Sequence, residues 1–293
     1  MKRVVITATG VISPVGLSTE AFWESLTAGR HGFAPIASFD PARVPVKCAA
    51  EVKGFDPVAM GLNKKDARRM DRYTQFAMAA AAELMEKAGD LGEVDPYRVG
   101  ILVSSGIGGL MTTLNEHVKY MEKGPERLSV FTIPMMISNM AAGQLAIKYG
   151  FKGDNFAVVS ACATGAHSVG EGFRKIKDGY LDLCIVGGSE APICEYAVGV
   201  DIPHLLGGNA RLPHGGGHGR GRPRPLRVGA GDVVGVVGGA VAHHLRQDVG
   251  PPGPGALVLL QEQKPRPLAH HKAAALCIER DRGASRILSL IHI

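Results

Sequence analysis

The sequence predicts an α/β fold over residues 1–200, and three observations carry the prediction. Short β-rich apolar runs ("RVVITATG", "RVGILVSSG", "NFAVVSA", "LDLCIVGG") recur along the chain. Between them lie segments whose apolar residues repeat at helical spacing. Glycine or small polar residues punctuate the joins. Such alternation implies a mostly parallel sheet covered on both faces.

Each element follows from local chemistry. "RVVITATG" reads as a buried strand ending in a glycine turn. "STEAFWESLTAG" reads as a helix with a Ser/Thr cap, Glu20 in its first turn and Gly29 just past its end. Over residues 63–88, Met70, Tyr73, Ala77, Ala80, Ala81 and Leu84 form a helical stripe, and Gly89 is the stop. "RVGILVSSG" is a strand running into the glycine turn 104–109. Position 111 is Met, so the turn is not GxGxxG and no dinucleotide site is expected. "NFAVVSA" predicts a strand over 155–160. "ATGAHSVGEGFRKIKDG" predicts a helix over about 163–178 with Ala166, Val169, Phe173 and Ile176 as its apolar stripe and Gly179 as its stop. "LDLCIVGG" is another buried strand.

Composition narrows the class. No window approaches the ~18 uninterrupted apolar residues of a membrane span. "MKRVVITATG" has neither the long apolar run nor the cleavage site of a signal peptide. Five cysteines without a CxxC pair fit a reducing cytoplasm, with no disulfide framework and no structural zinc. Residues 1–200 carry 21 Lys+Arg and 21 Asp+Glu, whereas residues 201–293 carry 12 and 6. The whole net charge of +6 therefore belongs to the tail, and a charge argument for nucleic acid or membrane rests on the tail alone. That tail has no Phe, Trp, Tyr, Met or Thr, holds eight of the eleven histidines, and shows no period of 2 or 3.6. Its composition predicts disorder.

"VVSACATGAHS", residues 158–168, places Cys162 between an apolar run and a series of small residues. A predicted strand runs into a predicted helix there, so unpaired helix N–H groups and a partial positive charge face the sulfur. That placement favours a nucleophilic thiolate. Small neighbours at Ala161, Ala163 and Gly165 leave room for a substrate carbonyl, and the same N–H groups are candidates for an oxyanion hole. A buried structural cysteine explains the spacing equally well. Lys65, Arg68, Arg69 and Arg72 fall at i, i+3, i+4 and i+7 of the predicted 63–88 helix. They read either as a solvated face or as a docking surface for an acidic partner.

"SACATGAHSVGEG" resembles the nucleophile motif of the elongating 3-oxoacyl-(acyl-carrier-protein) synthases. "VVITATGVISPVG", "RRMDRYTQFAMAAA", "SSGIGGL", "IPMMISNMAAGQLAIKYG" and "IVGGSEAPI" resemble that family too, in order and at its spacing. The resemblance covers residues 1 to about 200. It implies a thiolase-like layered α-β-α-β-α fold, of which residues 1–200 are the N-terminal half. It implies that Cys162 accepts an acyl group as a thioester, which the carbanion of decarboxylated malonyl carrier protein then attacks. Lys65, Arg68 and Arg69 match positions that dock acyl carrier protein, and Ile107 matches the residue lining the acyl pocket. A non-catalytic chain-length factor is disfavoured because Cys162 is present. The resemblance further implies a homodimer formed through first-half elements; no cofactor and no metal are expected. Ala8 departs from the family, which usually has glycine there, and is expected in a turn. His167 is expected in a packing or supporting role; Cys184 and Cys194 are expected to be inert.

The family also needs two histidines and a lysine, in motifs resembling "DAYHMT", "NAHGT" and "TKSMTGH", and none occurs in this chain. The tail histidines match none of them and have no convincing metal-ligand spacing. Replacing each tail codon by its reverse complement permits "GFVMGEGAG" from Ala273 back to Pro265, and "EVVGYGASNDAYHIT" from Leu245 back to Gly231. Both resemble the family's continuation past residue 200, in the right order. Residues 201–293 therefore read as an aberrant, antisense-translated and disordered tail, and the chain as an incomplete, inactive chimera that loses the packing of its central helices. Two other readings stay open: a different Cys-dependent acyltransferase or thiolase, and a basic-tailed nucleic-acid-binding protein, against which the lack of stacking aromatics weighs.

Overall fold

The computed structural model describes residues 3–44, 46–199 and 256–262. Strand β1 (Val4–Val11) leads into helix α1 (Thr19–Thr27), whose N-cap Ser18 accepts from the backbone N–H of Ala21 with Glu20 in the first turn. A small hairpin of β2 (Phe33–Pro35) and β3 (Cys48–Ala50) comes after it. Helices α2 (Lys64–Ala67) and α3 (Arg72–Ala88) precede strand β4 (Val99–Ser104). Helices α4 (Leu110–Lys123), α5 (Thr132–Met136) and α6 (Met140–Tyr149) come next. Helix α7 (Thr164–Lys177) and strand β5 (Leu183–Gly188) complete the α/β unit. A last strand, β6 (Ala256–Glu262), comes from the tail.

The main sheet has the order β1-β6-β5-β4. β4 and β5 pair in parallel, as the alternation predicts. β6 lies between β1 and β5 and is antiparallel to both. The sheet is therefore mixed in its pairing, although β1, β4 and β5 share one direction. The expectation of a tail without regular structure fails for these seven residues. The apolar run of "ALVLLQE" lets Leu257 and Leu260 bury on opposite faces of the sheet. The tail histidines and both antisense stretches lie outside the described residues.

Alternation along the strands divides the core in two. Ile101, Val103, Leu183, Ile185 and Leu257 face α3 and α6. Leu102, Cys184, Val186 and Leu260 face Ile176 of α7. The result is an α–β–α arrangement with the helices on both faces, as strands with buried residues on either side require.

Helix α3 buries the whole predicted stripe from Tyr73 to Leu84, with Met70 just before it, and its Gly89 C-cap has φ 63. Its neighbour on the sheet is Gly10, where a Cβ would collide with the carbonyl of Ala80. Gly10 thus sits inside β1, and the expected glycine turn is a close approach of strand to helix instead. Ala8 also lies within the strand, beside a register irregularity, and not in a turn.

Three further expectations are corrected. Residues 63–88 are two helices, because Asn63 and Asp71 each cap a helix N-terminus with their side chains. Asp71 also accepts from the Thr112 backbone N–H (2.9 Å) and hydroxyl (2.7 Å), which ties α3 to the start of α4. The predicted strand 155–160 is reduced to one bridge between Asn155 and Ile101. Its backbone is held by side chains instead, with the Val158 N–H donating to Ser104 Oγ at 2.9 Å. Finally, α7 buries Gly165, Ser168, Gly172 and Ile176, whereas Ala166 and Phe173 are exposed. The helix rests on the sheet through Gly165, Ser168 and Gly172, with Ile176 and Val169 packed beside them.

Candidate active site

The carboxyl ends of β4 and β5 meet the N-terminus of α7, the edge of a parallel pair where ligands commonly bind. Gly188 lies against Gly165, and a Cβ on Gly188 would be 3.2 Å from the Gly165 Cα. Ser168 Oγ lies 3.0 Å from both Ser104 Oγ and the Thr164 carbonyl. The Ser189 N–H donates to the Ser104 carbonyl at 2.9 Å, and Ser189 Oγ donates to the Tyr73 carbonyl at 2.7 Å. The Ser168 bond fixes α7 to the end of β4, and the Ser189 bonds tie the end of β5 to β4 and to α3.

Cys162 is half-buried in a 3-10 turn, Ala161–Ala163, that leads directly into α7. The turn is entered through Ala161 at φ 49, which among the described residues is the non-glycine position with positive φ. A side-chain-bearing residue in this region costs about 1–2 kcal/mol and persists where its surroundings impose it. The N-terminus of α7 has no side-chain cap. Two N–H groups of the expected oxyanion hole are already engaged: Ala163 donates to the Ser160 carbonyl (3.1 Å), and Thr164 donates to the Ala161 carbonyl. Ser160 Oγ and His167 Nδ1 lie 2.6 Å apart, and the Ser160 N–H donates to Thr164 Oγ1 at 3.0 Å. His167 thus braces the turn from its exposed side.

The glycine loop after β4 forms the opposite wall. Glu190 accepts from Ser105 Oγ (2.8 Å) and from the N–H groups of Gly106 (2.8 Å) and Ile107 (3.2 Å). Burial pushes the Glu190 carboxyl above its ordinary value and the nearby Asp71 charge adds to this, while these hydrogen bonds work against the rise. Sequence reasoning missed Glu190, because nothing local marks a glutamate beyond a strand as the partner of a loop more than eighty residues earlier. Ile107 itself is 56% exposed on the loop.

Lys65, Arg68 and Arg69 are exposed around the break between α2 and α3. Arg69 stacks over the Phe131 ring at 4.5 Å. Arg72 is set apart from them: its guanidinium packs on Phe55 (4.6 Å) and Phe76 (4.9 Å), and burial lowers its basicity. The single face of four cations predicted from the spacing does not form, because the helix breaks within it. Cys184 is buried in β5, where burial pushes its thiol far above the usual range, and Cys194 is buried as well. Among the described residues no group of three or more His, Cys, Asp or Glu could hold a metal. No helix among them is long and apolar enough to cross a membrane.

The fold and site define an α/β protein with a cysteine on a constrained turn between sheet edge and helix. Solved structures that share this architecture include ketosynthases. A β-ketoacyl synthase from Burkholderia phymatum STM815 superposes with a TM-score of 0.65 at 24% identity, over 90% of this chain and 60% of that one. The AntDE:AntF complex, a type II PKS acyl-carrier protein with its ketosynthase, gives 0.62 at 20% identity, over 89% and 63%. In sequence, 3-oxoacyl-[acyl-carrier-protein] synthase 2 of Staphylococcus aureus (strain COL) is 44% identical over 198 residues, 67% of this chain and 48% of the relative. The family model "Beta-ketoacyl synthase, N-terminal domain" matches residues 1–200. The chain belongs to the β-ketoacyl synthase family. It spans about half the length of the curated relatives it matches.

Proposed function

We propose that this chain carries the acyl-accepting part of a 3-oxoacyl-(acyl-carrier-protein) synthase of type II fatty acid synthesis, with Cys162 as the nucleophile. The observation that carries the reading is the position of Cys162: half-buried on a turn held at left-handed φ, at the strand ends and at the start of α7. The Cys162 thiolate attacks the thioester carbonyl of acyl carrier protein. A new C–S bond forms, and the carrier's thiol leaves with the proton that Cys162 gave up. Malonyl carrier protein then loses carbon dioxide, and its carbanion attacks the Cys162 thioester. A C–C bond forms, the Cys162 thiolate is released, and the product is a 3-oxoacyl carrier protein. Lys65, Arg68 and Arg69 receive the acidic carrier protein, and Ile107 lines the acyl pocket. Similarity to the S. aureus synthase and to a ketosynthase solved with its carrier protein supports this assignment. The reaction belongs to the cytoplasm and to a homodimer.

Residues 201–293 lack the histidine and lysine motifs of the decarboxylation step. In this reading they are opposite-strand sequence, and the chain accepts an acyl group without completing condensation. The test is intact-protein and peptide mass spectrometry of the full chain incubated with acyl-loaded carrier protein. An acyl adduct on Cys162, absent in Cys162→Ser, is the expected result, with no 3-oxoacyl product after malonyl carrier protein is added. No adduct refutes the nucleophile. Steady product release refutes the incompleteness. Loading from acyl coenzyme A in preference to the carrier protein moves the chain to the thiolase reading. A read of source DNA across codons 190–260 tests the tail: the same codons in genomic DNA would sink the antisense origin.

A further inference from the structure

We infer that Glu190 is a positioning residue for Cys162, acting through the Ser105–Gly109 loop; the inference rests on the reading of Cys162 as the nucleophile. One carboxylate organises the loop. Oε1 accepts from Ser105 Oγ at 2.8 Å, and Oε2 accepts from the Gly106 N–H at 2.8 Å and the Ile107 N–H at 3.2 Å. Ser105 Oγ relays the constraint by accepting from Gly108 (2.7 Å) and Ile107 (3.3 Å). The loop backbone from Ser105 to Gly108 is thereby tied to one side chain.

The other side of this loop touches the nucleophile's turn. A Cβ on Gly106 would stand 3.1 Å from Glu190 Oε2, 3.1 Å from the Ala161 carbonyl oxygen and 3.3 Å from the Ala161 Cα. Gly106 is a spacer without a side chain, held between Glu190 and Ala161. Ala161 is the residue at φ 49 immediately before Cys162. A strained backbone of this kind relaxes when the structure around it loosens. Relaxation at Ala161 moves the Cys162 Sγ, and a displacement of about 1 Å at a reacting atom is enough for a ~100-fold loss of rate. Glu190 need not touch substrate to have this effect.

The Glu190 side chain also has a chemical requirement that a substitution can probe. Ser105 Oγ already accepts two N–H groups, so its own proton must go to Glu190. Glutamine keeps an acceptor for Gly106 and Ile107 but competes with Ser105 as a donor. Alanine removes every link.

The experiment follows alkylation of the full chain by iodoacetamide, resolved by peptide mass spectrometry, with the exposed Cys48 as internal reference. The readout is the ratio of the Cys162 rate to the Cys48 rate, with folding followed by near-UV circular dichroism. Glu190→Ala is expected to lower the ratio by about tenfold or more, and Glu190→Gln to restore most of it. A merely structural Glu190 lowers the unfolding midpoint and leaves the ratio alone. An unchanged or raised ratio in folded Glu190→Ala overturns the inference. Should Glu190→Ala not fold, Ser105→Ala cuts only the relay; it is expected to lower the ratio by a smaller factor, and an unchanged ratio there overturns the inference equally. The unaltered chain separates the two claims. A Cys162 no faster than Cys48 removes the nucleophile reading and this inference with it, whereas a fast Cys162 indifferent to Glu190 removes the inference alone.

Discussion

Gly172 of α7 lies directly against Val186 of β5: a Cβ on the glycine would collide with the valine Cγ1 and come within 3.4 Å of Cys184 Sγ. The helix that carries the Cys162 turn therefore seats on the sheet without a side chain between them at this point. Ile176, one turn on, fills the contact with Leu102, Val186 and Leu260. Phe173, on the flank of this face, stays 43% exposed.

Adding one methyl group at this contact should unseat the helix. Gly172→Ala is expected to cost about 1–3 kcal/mol by overpacking. Among the described residues, a Cβ on Gly170 would meet nothing within 4 Å. Gly170→Ala is therefore expected to gain ~0.5–1 kcal/mol from helix propensity. Urea unfolding of both variants checks this, and equal effects at the two positions would contradict the seating of α7.

The place of β6 between β1 and β5 makes Leu257 a core residue of the sheet. Leu257→Ala is expected to destabilise the chain by roughly 2–5 kcal/mol, the range for a buried leucine. Thermal unfolding of the full chain measures it. A neutral Leu257→Ala would mean that Ala256–Glu262 contributes nothing to the folded unit.

Glu190 predicts the sign of a pH effect. Burial raises its carboxyl pKa, so the folded chain holds that proton more tightly than the unfolded chain. The associated stability is fully present below the ordinary glutamate value and is lost as pH rises through the raised one. Glu190→Gln carries no such proton. The stability of the wild type relative to Glu190→Gln should therefore fall as pH rises from the acid side, then level off. Urea midpoints across an acid-to-neutral pH series read this directly, and a difference that grows with pH would refute the assignment.

Charge reversal at Lys65 and Arg68 tests the proposed carrier-protein surface. Both side chains are exposed, so each contributes modestly, ~0.2–1 kcal/mol, and mainly through encounter rate. Lys65→Glu with Arg68→Glu is expected to weaken binding of acyl carrier protein by roughly tenfold at low salt. The gap should narrow as salt rises. Surface plasmon resonance at two ionic strengths decides it, with Arg30→Glu, distant in sequence, as the control. Equal affinities for variant and wild type would leave these cations as ordinary solvated surface.

Much of this architecture is local and was legible. The Ser18 cap, the Gly89 stop and the buried stripe from Tyr73 to Leu84 depend on residues a few positions apart. The strands at Val99–Ser104 and Leu183–Gly188 declare themselves by composition, and Cys162 by its place at the entry to a helix of small residues. The errors share a different character. The break between α2 and α3 looks helical by periodicity, and Asp71 wins there because Thr112, forty-one residues away, supplies two more bonds.

The sequence by itself determined the α/β alternation, the helix caps, the buried stripe of α3 and the cysteine at the head of α7, since each is set by short-range backbone and side-chain chemistry. The tertiary structure alone decided which face of α7 is buried, that Ala256–Glu262 enters the sheet, and that Glu190 reaches the loop backing Ala161. These depend on close approach and on pairing between segments far apart in the chain, where steric fit and the satisfaction of buried polar groups override any local periodicity.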